Sequence, residues 1–547
     1  MKKRFLSVLG MAMSAVMLFS ACGGSGTSSN TGGSTSEPTN KAVVTTSGGG
    51  AEATGTTDKD TLVFVMNAEP TSMEPGATST GDSYPRMTNI QIYETLLRQK
   101  MGDKTTLEPL LCDSYEFSED GLHINFAIKQ GVKFHNGDEM TVDDVAYSIN
   151  KALAMPNVQE LADMIEDAEV IDDTHVQVNL KYAYSPVLNI LVNPAFSIIS
   201  QKYYEQCQAD GTNFGRNPMG TGAYKFVSWQ NGANIKLAAN ENWHKGDVAI
   251  KNVEFRFMAD ATTAAIALES GDSDIFYGVD SADLPRLREN PDINVLSVQS
   301  AGFYFIALNT DGPNEALKND KVRKAINMAV NRQEIIDGGQ DGVGWVTECP
   351  ITPGIFGYQE DFHADPYDVE AAKALLAEAG YPDGLTIQMK TPESSYYSRP
   401  AQVIQEELRQ IGITVDLQVM ERGAFNTDVG NRDYESIYFW IGSSFPDADN
   451  IVYKLFHSQF AHSGLATNMA CINSPEADEL VEKGRQELDP DARMEIYKQL
   501  SELNNENAWY IPILTSTNTL CARNYVNNAY GDSAAYYYIA DWSFNRE

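Results

Sequence analysis

The chain has 547 residues, 42% of them hydrophobic, which is enough for two or three globular units with real cores. Its 40 basic and 75 acidic side chains leave a formal net charge of −35. That balance argues against binding a phosphate backbone, and so against a nucleic-acid partner. It favours a well-hydrated surface without fixing the charge of a ligand.

Residues 1–22 read as a targeting segment. Lys2, Lys3 and Arg4 precede an apolar run over 5–19 that is too short for a stable membrane span. Ser20-Ala21-Cys22-Gly23 then resembles a bacterial lipobox, with Phe19 where such motifs usually carry Leu. The resemblance implies a lipid attached to Cys22, a membrane anchor to which each buried CH₂ contributes about 0.8 kcal/mol. Residues 23–59 are rich in Gly, Ser and Thr, with almost no large apolar side chains. They read as a flexible tether, of the length expected on a Gram-positive cell surface. Five further cysteines, Cys112, Cys207, Cys349, Cys471 and Cys521, show no metal spacing. An exported setting permits disulfides, but the spacing gives no pairing.

The folded body opens with a buried strand at 61–67 (TLVFVMN) and a loop stiffened by Pro70 and Pro75. A helix is expected over 87–97. In 118–150, Leu122, Ile124, Phe126 and Ile128 alternate with polar residues as in a half-buried strand. Residues 132–134 read as a second short strand, Asn136-Gly137 as a tight turn, and Thr141 as the N-cap of a helix with Asp143 and Asp144 in its first turn. Strands follow at 175–180, 224–229, 235–239 and 253–258, with a helix over 261–269. Residues 303–309 (FYFIALN) and 510–513 read as two crossings between lobes. Between them come helices at 320–331, from Asp365-Pro366 to Gly380, and at 401–410, and strands at 385–390, 413–420 and 436–441. Ser474-Pro475 and Asp489-Pro490 begin two more helices. Alternating strands and helices imply an α/β fold.

Several of these stretches carry a specific resemblance. The run over 120–149, D-G-L-x-x-x-F-x-I-K-x-G-V-K-F-H-N-G-D-x-x-T-x-D-D-V-x-Y-S-I, is similar to the signature of the dipeptide/oligopeptide/nickel class of ABC-transporter extracellular solute-binding proteins. Tyr93-Glu94-Thr95-Leu96, the N-P-M-G-T-G-A-Y-K-F run over 217–226 and the helix over 320–331 extend the match. The resemblance implies a two-lobed periplasmic-binding-protein-like fold with an extra subdomain in lobe one and a two-crossing hinge. Lobe one is expected over 60–308 plus 511–547, with the subdomain at about 98–222, and lobe two over 309–510. It implies a monomer that hands a small solute to an ABC permease and ATPase complex. Gly220 and Gly222 read as structural, permitting a backbone path closed to residues with Cβ.

The stretch 439–450, aromatic and then acidic, aligns with the family loop that touches ligand. Trp440 is its best single candidate, with Phe445 and Asp447 beside it. Peptide-binding relatives usually carry an Asp three to four residues after this Trp, to hold the peptide's ammonium. Here Ser443 and Ser444 stand there, and a hydroxyl supplies no charge. Dipeptide-specific relatives carry an Arg before Pro where this chain has Thr391. Arg422 reads either as an anion anchor or as a solvated surface residue. Met73, in the loop after the first strand, and Tyr304, in the first crossing, complete the candidate ligand-binding set. His457 and His462 are five apart, a poor match to one helix face, so no metal site and no cofactor are expected. No P-loop, HExxH or suitably placed GxSxG suggests an enzyme. The expected function is capture of a peptide, an oligopeptide rather than a strict dipeptide. The alternatives are a glycan or chelated nickel.

Overall fold

The computed structural model describes residues 53–546, except 102, 160, 281 and 463–466, with backbone only for 103–105. The targeting segment, Cys22 and most of the tether lie outside the described residues. Residues 53–59, read above as the end of the tether, are docked. The Thr54 and Gly55 amides donate to the Asn524 carbonyl at 2.8 and 3.2 Å, and Lys59 Nζ lies 2.7 Å from Asp274.

Two long antiparallel strands, Ile293–Leu308 and Tyr510–Arg523, run through the middle of an 11-stranded sheet. Ile293 to Gln299 pairs with Arg523 to Thr517, and this end of the return strand also pairs with Ile275–Tyr277. Strands Thr61–Met66, Asn252–Phe257, Asn234–Ala239 and Tyr224–Gln230 continue that half. The pairing then slips. Residues 300–302 oppose only residue 516, pairing resumes at Phe303 with Thr515, and a second slip passes over residue 513 between the pairs Tyr304–Leu514 and Phe305–Pro512. From there the outgoing strand takes Ser436–Gly442 on its free edge, followed by Leu385–Pro392 and Ile413–Met420. These irregularities lie a few residues from the lobe boundaries expected at 308/309 and 510/511, on the same two strands. Residues 303–308 and 510–515 pair within the C-terminal half. Both stretches are apolar throughout, so nothing in their sequence marks where the partner strand changes.

The cores follow this division. Phe64, Phe255 and Trp542 pack in the N-terminal half. In the C-terminal half the sheet is covered on both faces. Phe303 and Phe305 meet Tyr497 and Tyr510 on one side, while Ile306 and Leu308 meet Ile326 and Leu408 on the other. A subdomain carries its own four-stranded antiparallel sheet, ordered Cys112–Phe117, His123–Ile128, His175–Leu180, Ile165–Asp172, against helix Val142–Leu153. Together these make two α/β lobes, the first with an extra subdomain, joined by two strands.

The helix of the subdomain starts as its sequence requires. Thr141 Oγ1 accepts the Asp144 amide, and the Asp144 carboxylate accepts the Thr141 amide at 3.0 Å, a closed capping box. Residues 132–134 do not form a strand, only a single bridge between Lys133 and Glu139. Instead His135 ties the turn to the second motif, with Nε2 3.0 Å from the Gly222 carbonyl and Nδ1 3.4 Å from the Gly220 nitrogen. Burial pushes its pKa down to about 4, so the ring is neutral at physiological pH. A Cβ on Gly222 would sit 2.6 Å from the Gln91 carbonyl, which explains the glycine.

Three helices differ from expectation. The first covers Ser83–Ile92, starting at the Asp82 cap and stopping before Tyr93-Glu94-Thr95-Leu96. The Gly222 amide takes the Ile92 carbonyl at 2.9 Å, so the helix cannot continue. Asp365-Pro366 does not begin the next helix. Asp368 caps Val369–Glu378, while the Asp365 amide is bound by Asn505 Oδ1 at 3.1 Å. Helix Ser395–Gln410 begins before Pro400 rather than after it, and the Tyr396 carbonyl left free by the proline accepts Gln340 Nε2 at 2.9 Å.

Candidate functional site

The seam between the halves is lined with tyrosines. A cavity of about 260 Å³ lies there. Tyr84 and Tyr277 form its N-terminal wall, and Tyr304, Tyr396 and Gln340 form its C-terminal wall. Ser516 to Thr519 of the return strand, with Val279, Leu284, Val343 and Leu514, complete the wall, and among the described residues no charged side chain lines it. Asp82 caps the helix that presents Tyr84. Tyr277 ends a short strand, and its hydroxyl is 3.3 Å from Ser83 Oγ. Tyr304 stacks on Tyr438 at 5.8 Å and leans on Tyr397 at 5.5 Å. Burial raises the pKa of both Tyr277 and Tyr304 above the usual tyrosine value, so their phenols stay neutral. The cavity therefore offers aromatic faces, neutral hydroxyls and amides. It suits uncharged polar groups and apolar side chains, and it has no counter-ion for a charged terminus.

Trp440 stands directly across the strand pair from Tyr304 and is half-buried. Its indole packs close against Gly302 of the outgoing strand. A Cβ there would come within 2.7 Å of the ring. Arg422 opens helix Arg422–Asn431, exposed, with its guanidinium 4.8 Å from the Phe439 ring and Nη1 3.4 Å from the Tyr397 hydroxyl. It sits outside the tyrosine cavity. Ser444 and Phe445 line a second cavity, of about 460 Å³, between the subdomain and the C-terminal half.

Four candidates are otherwise engaged. Asp447 is fully buried and holds Arg493 through two bonds, 2.6 Å to Nη2 and 2.7 Å to Nη1. Its charge is spent inside the lobe and is not free for a ligand's ammonium. The Thr391 hydroxyl, also buried, donates to the Tyr438 carbonyl at 2.9 Å. Met73 is a core residue packed among Phe214 and Tyr93, and its amide donates to the Gly215 carbonyl at 3.0 Å. The Ser443 hydroxyl donates to the Phe445 carbonyl and lies 3.0 Å from Asn450 Oδ1, so it shapes the turn. Lys390 and Arg399, the other cations near the expected carboxylate end, are paired with Asp428 at 2.8 Å and Asp341 at 2.6 Å. Tyr396 was one of several lobe-two aromatics open to a cleft role, whereas Tyr84, Tyr277 and Gln340 were not singled out by the sequence, because the seam that gathers them joins parts of the chain up to several hundred residues apart. Their only local signal is a tyrosine next to a helix start or a strand end.

No group of three or more His, Cys, Asp or Glu side chains able to hold a metal occurs among the described residues. The five described cysteines are buried free thiols.

Known proteins share this architecture. The chain is 29% identical to di/tripeptide-binding protein 2 of Pseudomonas aeruginosa, over 85% of this chain and 91% of that protein. It is 28% identical to heme-binding protein A of Haemophilus influenzae, over 88% and 92%. The solved structure of HbpA2 from Haemophilus parasuis superposes with a TM-score of 0.81 at 27% identity, covering 88% of this chain and 99% of that one. These relatives are binding proteins, not enzymes. A profile described as bacterial extracellular solute-binding proteins, family 5 middle, matches residues 106–463, more than half of the chain. The two-lobed fold and this match lead to one conclusion: the chain belongs to the bacterial extracellular solute-binding proteins of family 5, a class that serves ABC transporters.

Proposed function

We propose that the protein captures an oligopeptide at the seam between its lobes and delivers it to an ABC permease, held at the cell surface by lipid on Cys22. One observation carries the choice of solute. Among the described residues no charged side chain lines the tyrosine cavity, and the candidate charges Asp447, Lys390 and Arg399 are already paired. A dipeptide zwitterion presents two charges within a few ångströms and needs a partner for each. A longer peptide held at its interior offers neutral amides and side chains to the seam and keeps its termini elsewhere. Tyr304 and Trp440 are the contacts proposed for it, with Arg422 at the rim. The relative named for di/tripeptides fits peptide transport in general. A glycan is the second reading, favoured by the same neutral, aromatic walls, which suit sugar faces as well as peptide planes; chelated nickel gains no ligand set from the described residues.

Calorimetry with a pool of tetra- to hexapeptides, free and with both ends chemically blocked, tests the reading. Affinities that agree within about threefold support interior capture. A loss of a hundredfold or more on blocking, about 2.8 kcal/mol, would mean that charged termini are gripped after all. Tyr304→Ala is expected to weaken peptide binding at least tenfold in the same assay.

A further inference from the structure

The two halves also meet away from the tyrosine cavity, where the subdomain touches the C-terminal lobe. Tyr184, buried in the subdomain, donates its hydroxyl to Asp449 Oδ2 of the other half at 2.5 Å. Arg485 comes up beside them. Its guanidinium is 3.6 Å from the Tyr453 ring centroid, 5.1 Å from that of Tyr184 and 5.5 Å from that of Tyr182. The Ser185 amide donates to the Arg485 carbonyl at 2.8 Å, and Asn189 Nδ2 lies 3.3 Å from Asp447 Oδ2. Phe445, from the C-terminal lobe, is 3% exposed and packs into the hydrophobic core of the subdomain. None of these side chains lines the tyrosine cavity.

We propose that Tyr184, Asp449 and Arg485 form a clasp that sets the balance between open and closed forms of the free protein, separately from the bound solute. The chemistry is that of a reversible catch. Closing gives a charge-assisted hydrogen bond, a cation held among three aromatic rings and the burial of Phe445. Against this stands incomplete pairing. Asp449 Oδ1 and Arg485 Nε are buried without a hydrogen-bond partner and face each other at 3.4 Å. Parting the lobes returns water to groups that the closed form leaves short of partners, so opening is compensated in part. The clasp also borders the 460 Å³ cavity, to which Tyr184, Asp449 and Arg485 all contribute, so its release unroofs that space. The inference rests on the two-lobed architecture and not on the identity of the solute.

The test uses spin labels on Asp173→Cys, at an exposed hairpin tip of the subdomain, and Lys498→Cys, on the exposed face of the last long helix of the C-terminal lobe. Pulsed electron resonance on the solute-free protein reads the distances between them. With an intact clasp a short-distance population is expected. Tyr184→Phe keeps the ring but removes the hydroxyl, and should cut that population at least fivefold. Asn189→Ala, which leaves the core untouched, should shift it the same way by a smaller factor and reports even if Tyr184→Phe misfolds. Tyr453→Phe, whose hydroxyl bonds only within its own lobe, should change nothing. Unchanged distances in Asn189→Ala and in folded Tyr184→Phe would overturn the clasp, and an equal shift in Tyr453→Phe would mark a general loosening instead.

Discussion

Asp447 is a residue whose type suggested one role and whose surroundings assign another. As an acid in the aromatic loop it was open either to a ligand role or to shaping the turn, and it is fully buried and held by Arg493 through two short bonds. Removing one partner of such a pair strands the other without water. Asp447→Asn is expected to destabilise the fold by about 3–5 kcal/mol in urea denaturation, and a loss under 1 kcal/mol would mean that the pair is dispensable. Glu407 makes a pH prediction. Burial raises its pKa to about 8, although the Asn331 amide on Oε2 pulls the other way, and its Oε1 has no partner. The folded state thus holds a proton that the unfolded chain has lost by mid-acid pH. The stabilisation is fully present below about 4.5 and disappears as pH rises through 8. Melting temperatures should fall between pH 5 and 8 more steeply for this chain than for Glu407→Gln. Equal slopes would show that Glu407 ionises freely.

At the scale of elements, the legible parts were those whose determinants are local. Thr141 and Asp144 are three residues apart, and the capping box they form needs nothing beyond its own turn. Thr141→Ala should cost about 1 kcal/mol and destabilise the subdomain first, seen as faster hydrogen exchange over Val142–Leu153. Uniform exchange across the molecule would count against that local reading. Ser474-Pro475 and Asp489-Pro490 start helices as their residue types demand. The misreadings came where a distant group decided the outcome. The Gly222 amide ends the first helix, Asn505 diverts Asp365, and Gln340 caps the carbonyl that Pro400 leaves free. The candidate site divides in the same way. Trp440 and Tyr304, placed by strand pattern and motif, are cross-strand neighbours at the seam. Tyr84, Tyr277 and Tyr396 reach it only through the folding of the whole chain.

The described residues form two lobes on two strands whose pairing slips at 300–302 and 516 and again at 513. A slip leaves backbone that can rotate without breaking a regular ladder, which makes it the natural pivot for closure on a solute. On the proposed reading, its neutral, tyrosine-lined cavity receives the interior of a peptide rather than its charged ends. Native mass spectrometry of the protein, purified from cells without refolding, tests it most directly. Co-purifying masses of peptides about three to eight residues long, with varied terminal residues and no enrichment of dipeptides, are the result predicted here. Masses of a glycan or a metal complex, or of dipeptides alone, would contradict it.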